Sequence, residues 1–421
     1  MTSERPPGAT AVATAMAPAA TIVIVGAGQA GGWAAQTLRS EGFAGRLVLI
    51  GDEAHPPYER PPLSKAVLAG EAAPASTWLH KPEAFEALRM EWWVDTRVAR
   101  IDRAAKCLEM SDGEMLSYDK LILCTGGKAR ALAVPGADTT PSHTLRTIGD
   151  ALSLAPELRP GRSIVVVGGG WIGLEVAATA RLKGADVTVV EAQGRLCERT
   201  VPPEISEHLH GLHGAHGTRV MLGARIAGIA PGADGQAVVT LADGSTLTCH
   251  AIVAGVGLVP NDELARDAGL ACDGGVIVDQ GCRTSDPDIF AAGDVAVTPN
   301  PWAGRRLRLE SWQNAQDQGI AAARAALGLP VDYAPLPWFW SDQYGMNLQI
   351  YGIPLPSHRM VARGTPGEDS FLLCYLDGDV VQAAAGANAA RDLRFARRLI
   401  EQRRQVDPTR LADPNVPMAK Q

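Results

Sequence analysis

The seven cysteines of this 421-residue sequence never form a CxxC pair, and no His/Cys grouping has zinc spacing. A cysteine-ligated iron–sulfur cluster needs four thiolates, and no such run occurs. No metal site is therefore expected. The stretch Gly51–Lys65 contains no cysteine at all. Scattered thiols of this kind read as reduced, mostly buried side chains of a cytoplasmic protein. Positive charge is short as well: 39 Lys and Arg stand against 46 Asp and Glu, for a net −7. Without a basic surplus no nucleic-acid partner is expected. No apolar run approaches the roughly 18 residues that cross a bilayer, so no membrane partner is expected either. Residues 1–20 lack a compact apolar stretch behind a basic one, which argues against a secretory signal. They are rich in Ala, Pro and Thr and read as a disordered tail.

What the sequence does hold is 46% hydrophobic residues and 45 glycines. That is enough apolar material for about three domains at roughly 150 residues each. Thr21–Val25 is a continuous β-branched run, suited to a buried parallel strand. A glycine turn, Gly26–Gly31, comes next, then a helix over Gln29–Glu41 that stops at Gly42, and a strand at Leu47–Ile50. The order then repeats: strand Ser163–Val167, turn Gly168–Gly173, helix Trp171–Lys183, strand Asp186–Val190. Leu121–Leu123, Ala251–Ala254 and Ile289–Ala292 read as further buried strands. From about Asp332 the character changes, with aromatics gathered in Pro337–Trp340 and a basic, helical Arg391–Gln405. The expected fold is α/β: two Rossmann-like dinucleotide-binding domains plus a smaller α+β C-terminal domain. Its expected limits are 21–126 with 253–331, then 144–252, then 332–421.

Both glycine turns have the full setting of a dinucleotide fingerprint: a preceding strand, a following helix, and an acid about 20 residues on. In the first copy these are Gly26, Gly28, Gly31 and Asp52, with Glu53 as a rival acid. In the second they are Gly168, Gly170, Gly173 and Glu191. The first glycine of each set permits the tight turn, and the second lets the backbone approach a pyrophosphate. The third lets the helix pack on the strand. The helix N-terminus then offers free N–H groups to the phosphates. A carboxylate at Glu191 favours a free ribose 2′-hydroxyl and opposes a 2′-phosphate. Ala192–Gly194 supply no cation, but Arg195 and Arg199 follow, so NADP stays open beside the favoured NAD.

Further motifs accompany the turns: PYERPPLSK (Pro57–Lys65), CTGG (Cys124–Gly127), TSDPDIFAAGD (Thr284–Asp294), ESWQNA (Glu310–Ala315) and PWFWSDQY (Pro337–Tyr344). Together with GAGQAGG (Gly26–Gly32) and GGGWIGLEVAA (Gly168–Ala178), they resemble the FAD-dependent NADH:ferredoxin reductases, of the putidaredoxin-reductase and biphenyl-dioxygenase-reductase type. The resemblance runs from about Thr21 to about Leu411 and implies a glutathione-reductase-like fold. It implies that Gly26, Gly28, Ala30, Gly31 and Asp52 hold the adenosine and pyrophosphate of FAD. Arg60 and Lys65 would lie along the flavin, Val98 by the adenine, Asp294 at the ribitol, and Trp312 at the flavin rim. Gly168, Gly170, Ile172, Gly173, Glu191 and Arg199 would bind NADH. Glu175 would sit near the nicotinamide and pair with Lys65. The family also places an aromatic of the Trp338/Trp340 segment between flavin and partner.

Many relatives with this fold carry a redox cysteine beside the flavin, in the region that here is free of cysteine. Electrons are therefore expected to leave the flavin directly for a separate [2Fe–2S] ferredoxin serving a dioxygenase or a cytochrome P450. Arginines at 305, 306 and 308, and at 391, 394, 397, 398, 403 and 404, are candidates for steering an acidic ferredoxin. A monomer or weak homodimer is expected. Competing readings are an NADH oxidase or rubredoxin reductase, and a flavoprotein that signals through its redox state.

Overall fold

The computed structural model describes residues 20–421, so the tail read at 1–20 lies, apart from Ala20, outside the described residues. The first unit opens with β1 (Thr21–Val25), α1 (Gln29–Ser40) and β2 (Arg46–Ile50), and gains β3 (Lys120–Leu123) much later. The second opens with β4 (Ser163–Val167), α2 (Trp171–Leu182) and β5 (Asp186–Glu191), followed by α3 (Pro203–Ala215) and β6 (Ala251–Ala254). Strand β7 (Ile289–Ala291) and helix α4 (Trp312–Ala326) precede the C-terminal strands β8 (Trp338–Gln343) and β9 (Met346–Gly352) and helix α5 (Ala390–Gln402).

Two parallel sheets result. The first runs β7-β3-β1-β2 and ends at Glu91–Trp93. Strand β7 thus returns from far along the chain to the sheet that β1 began. The second runs from Arg219–Leu222 through β5 and β4 to β6. Strand β6 straddles the boundary expected at 252–253 and pairs along its whole length with β4. The central strands are buried on both faces, which is why they read as unbroken Val/Ile/Leu runs.

The C-terminal sheet is antiparallel, with β8 at one edge beside β9. Its period of two divides β8 between two neighbours. Trp338 and Trp340 share one face, while Phe339, Ser341 and Gln343 share the other. Helix α5 packs Leu393, Ala396, Leu399 and Ile400 inward, the spacing of a single helical face. The helix ends at Gln402, short of the expected Gln405, because Arg403 turns left-handed (φ 47°).

Candidate active site

The two glycine turns are near copies. Gly26 (φ +111°) and Gly168 (φ +102°) take a backbone conformation that L side chains rarely adopt. A Cβ on Gly31 would lie 2.0 Å from the Gly26 carbonyl oxygen, and one on Gly173 2.1 Å from that of Gly168. The middle glycines differ in kind: a Cβ on Gly28 meets nothing within 4 Å, and one on Gly170 meets only the Gly255 oxygen at 4.0 Å. Each fronts open space at the start of a 12-residue helix without a side-chain cap. Uncapped N–H groups beside open space are what a pyrophosphate requires, so both cradles fit a dinucleotide. Gln29, the first residue of α1, is buried with both amide atoms unpartnered. Ala30 is pressed against α4, where a Cβ on Gly319 would come 2.4 Å from its carbonyl oxygen.

The acids sit differently. Glu191, the last residue of β5, accepts from the Gly169 and Gln193 N–H groups, each at 2.6 Å. Asp52 is exposed and makes no hydrogen bond among the described residues. Glu53 turns inward and accepts from the Tyr58 hydroxyl (2.6 Å) and from Arg60 Nη2 (2.9 Å). Arg60 Nη1 also donates to the Arg146 carbonyl. Arg146 itself was not legible in the sequence: its guanidinium donates to Asp294 Oδ2 at 2.8 Å and to the Gly127 carbonyl at 3.0 Å. Arg146 therefore ties the three together, Asp294 and the CTGG turn through its guanidinium and Arg60 through its main-chain carbonyl. A local signal did lie beside it, the Thr147/Asp150 capping box of the next helix. Val98 begins a separate antiparallel strand and is buried there.

Lys65 and Glu175 meet, with Nζ 2.6 Å from Oε2. Glu175 is only 5% exposed, and its carboxylate accepts from three donors. Oε2 also accepts from Ser64 Oγ at 2.5 Å, and Oε1 accepts from Ser341 Oγ at 2.7 Å. Ser341 in turn accepts from Gln343 Nε2 at 3.0 Å, and Gln343 Oε1 lies 2.7 Å from His213 Nε2. Burial pushes the His213 imidazole down to about 4, so it is neutral at pH 7. Sequence reasoning missed Ser64, Ser341, Gln343 and His213, because the contacts span up to 166 residues. Helix α2 is tied to the Pro-rich loop by Thr179 Oγ1 to the Ser64 carbonyl (2.7 Å), and Lys183, just beyond α2, donates from Nζ to the Ala69 carbonyl in the short helix after that loop (2.6 Å).

Trp312 opens α4 and stands edge-on to Trp340, with centroids 5.6 Å apart. Trp340 stacks on Trp338, and Trp338 on Tyr351, under the guanidinium of Arg397. At the second cradle Ile172 is 45% exposed, and Arg199 is exposed and makes no ion pair among the described residues. Arg195 is spent internally, on the Val201 and Glu198 carbonyls and Ser206 Oγ. Burial raises the Cys124 and Cys374 thiols to about 12 and Cys249 to about 11, and pushes Cys197 and Cys282 up further. These five offer no ready thiolate.

Residues 20–319 match the family of pyridine nucleotide-disulphide oxidoreductases, and residues 338–421 match the reductase C-terminal family. The chain is 41% identical over 395 residues to the ferredoxin–NAD(+) reductase component of an anthranilate 1,2-dioxygenase system from Burkholderia cepacia, covering 94% of this chain and 97% of the relative. It is 42% identical to rhodocoxin reductase from Rhodococcus erythropolis, covering 93% and 92%. Putidaredoxin reductase, in its covalent complex with putidaredoxin, superposes with a TM-score of 0.91 at 36% identity over 95% of this chain and 97% of that one. With two cradles, a Lys–Glu pair joining them and this similarity along nearly its whole length, the chain belongs to the pyridine nucleotide-disulphide oxidoreductases, within the FAD-dependent NADH:ferredoxin reductase family.

Proposed function

We propose that the protein takes electrons from NADH and passes them through FAD to a [2Fe–2S] ferredoxin that serves a ring-hydroxylating dioxygenase or a cytochrome P450. The observation that carries this is the Lys65–Glu175 bridge, which ties the loop after the first cradle to the helix of the second. FAD, when bound, accepts electrons in pairs and releases them singly. The first cradle, with Gly26, Gly28, Ala30, Gly31, Asp52, Arg60, Val98 and Asp294, would hold it; the second, with Gly168, Gly170, Ile172, Gly173, Glu191 and Arg199, would hold NADH. Residues 21–126 and 253–331 then serve FAD, 144–252 serve NADH, and 332–421 cover the site. The return of β7 to the β1 sheet supports that division. Lys65 would keep a positive charge beside the flavin, and Trp312 would shield its rim from water.

The partner surface is narrower than the arginine count suggested. Arg308 is bonded to Glu310 and the Asp294 carbonyl, and Arg397 to Glu401. Arg305, Arg306, Arg391, Arg394, Arg398, Arg403 and Arg404 are exposed and make no ion pair with described residues. The last five lie on or just beyond α5, the helix whose Arg397 covers Tyr351 at the end of the aromatic series. An acidic ferredoxin would dock there, with this protein acting as a cytoplasmic monomer or weak homodimer.

The test is NADH-driven cytochrome c reduction with and without an added [2Fe–2S] ferredoxin. Ferredoxin should stimulate the rate at least tenfold, and NADPH should be much the poorer donor. Charge reversal, Arg394→Glu with Arg398→Glu, should raise the ferredoxin KM about tenfold at low salt and flatten its salt dependence. Rapid NADH loss that no ferredoxin alters would instead favour an oxidase.

A further inference from the structure

The donors around Glu175 continue past the ion pair into the C-terminal sheet. Ser341 and Gln343 stand two residues apart on β8, on the face that Phe339 shares, and Phe339 tilts against Trp171 at the start of α2. That face therefore meets the second unit at three points: Trp171, Glu175 and His213. Glu175, Ser341, Gln343 and His213 are all buried.

The direction of the hydrogen bonds follows from what each group can offer. A carboxylate only accepts, so Ser341 gives its single proton to Oε1. The Ser341 oxygen is then left to accept, and it takes a proton from Gln343 Nε2. This turns the amide oxygen towards His213, which donates from Nε2. Flipping the amide would set an acceptor against the serine hydroxyl and take its proton away from Glu175. The donors thus run one way, from His213 through Gln343 and Ser341 to Glu175, each polarising the next. Without Ser341, Oε1 would be a buried acceptor with no partner, and the carboxylate could swing about a soft terminal torsion.

We infer that Ser341, aligned by Gln343 and His213, is a positioning residue for the Lys65–Glu175 pair, through which the C-terminal sheet sets the charge beside the flavin. This rests on the reading that places the pair at the flavin. With one donor gone, negative charge on Glu175 is less compensated, and reduced flavin, which tends towards an anion, is disfavoured.

The test is dye-equilibrated redox titration of the FAD-loaded full chain, with anaerobic rapid mixing against NADH. Ser341→Ala should lower the reduced-to-oxidised flavin ratio at fixed poise by threefold to tenfold. It should slow flavin reduction by a similar factor while changing the half-saturating NADH concentration less than twofold. Ser341→Thr, which keeps the hydroxyl, should restore both. In a Glu175→Gln background, Ser341→Ala should add less than twofold. If Ser341→Ala fails to hold FAD, Ser341→Cys, a weaker donor of similar size, should give a smaller shift in the same direction. Gln349→Ala, in the same sheet and bonded to Asn347, controls for loosened packing and should leave the ratio unchanged. A ratio that Ser341→Ala leaves unchanged or raises, while Lys65→Met and Glu175→Gln move it, overturns the inference but not the placement of the pair. So does a full Ser341→Ala effect in the Glu175→Gln background, or an equal shift in Gln349→Ala. If Lys65→Met and Glu175→Gln also leave the ratio unchanged, the pair does not face the flavin, and the underlying reading fails.

Discussion

The two nucleotide units follow one rule and, among their differences, trade one reciprocal pair of positions. Strand register puts Ile50 opposite Val25, and Val190 opposite Val167, so Gly51 occupies in the first unit the place that Glu191 occupies in the second. The residue inside the turn is exchanged in the opposite sense, Ala27 against Gly169. A Cβ on Gly51 would lie 2.6 Å from the Ala27 Cβ. A Cβ on Gly169 would lie 2.5 Å from Leu196 Cδ2 and 3.2 Å from Glu191 Oε2. Each unit thus has room for one substituent there, a methyl on the turn or a carboxylate at the strand end. Where the methyl is absent, the turn N–H binds the carboxylate and fixes it in place. Where the methyl is present, the strand end carries no acid, and Asp52, one residue on, is exposed and makes no hydrogen bond among the described residues. The second residue of the turn thus decides whether the strand end can carry an acid.

The strongest way to break the comparison is to close each cradle in turn. Gly31→Ala and Gly173→Ala each drive a Cβ to 2.0–2.1 Å from a backbone carbonyl oxygen. Each should cost at least about 3 kcal/mol locally. Gly31→Ala should purify with its FAD content reduced more than tenfold. Gly173→Ala should stay yellow and bleach with dithionite, yet reduce at least a hundredfold more slowly with NADH. Normal NADH reduction of Gly173→Ala would show that the second cradle is not the NADH site.

A smaller effect should follow from the acids themselves. Glu191→Ala should reduce the preference for NADH over NADPH about tenfold, equivalent to about 1.4 kcal/mol. The loss should fall mainly on NADH; Arg195 is occupied and cannot receive a 2′-phosphate, so any gain with NADPH would have to draw on Arg199. Asp52→Ala, measured as FAD affinity, should cost less than its counterpart, since Asp52 is not held in advance. Equal losses would erase the distinction drawn between a fixed and a free carboxylate.

The smallest effect is one of pH. His213 is buried among Gln343, Tyr344, His210 and His216, and burial holds its pKa near 4 against an ordinary 6.5. The unfolded chain takes up that proton first. The contribution of His213 to stability is thus complete above about pH 6.5 and is lost as pH falls towards 4, by up to about 3 kcal/mol. His213→Phe should flatten the melting temperature against pH in that window. An unchanged slope would show that the imidazole is not kept neutral by the fold.

The sequence by itself determined the two repeated units, their glycine cradles and the strands around them. Those features depend on residues within about thirty positions of each other: β-branched runs, turn glycines and a helix start. It also held the pairing partners Lys65 and Glu175, but only through resemblance, since nothing local joins them. The tertiary structure alone decided that Arg146 ties Arg60 to Asp294, that Gly51 and Ala27 exclude an acid at the first strand end, and that Ser341 completes the shell around Glu175. These contacts join elements that fold separately. Their distances are set by how sheets and helices pack, a quantity that no local pattern of residues encodes.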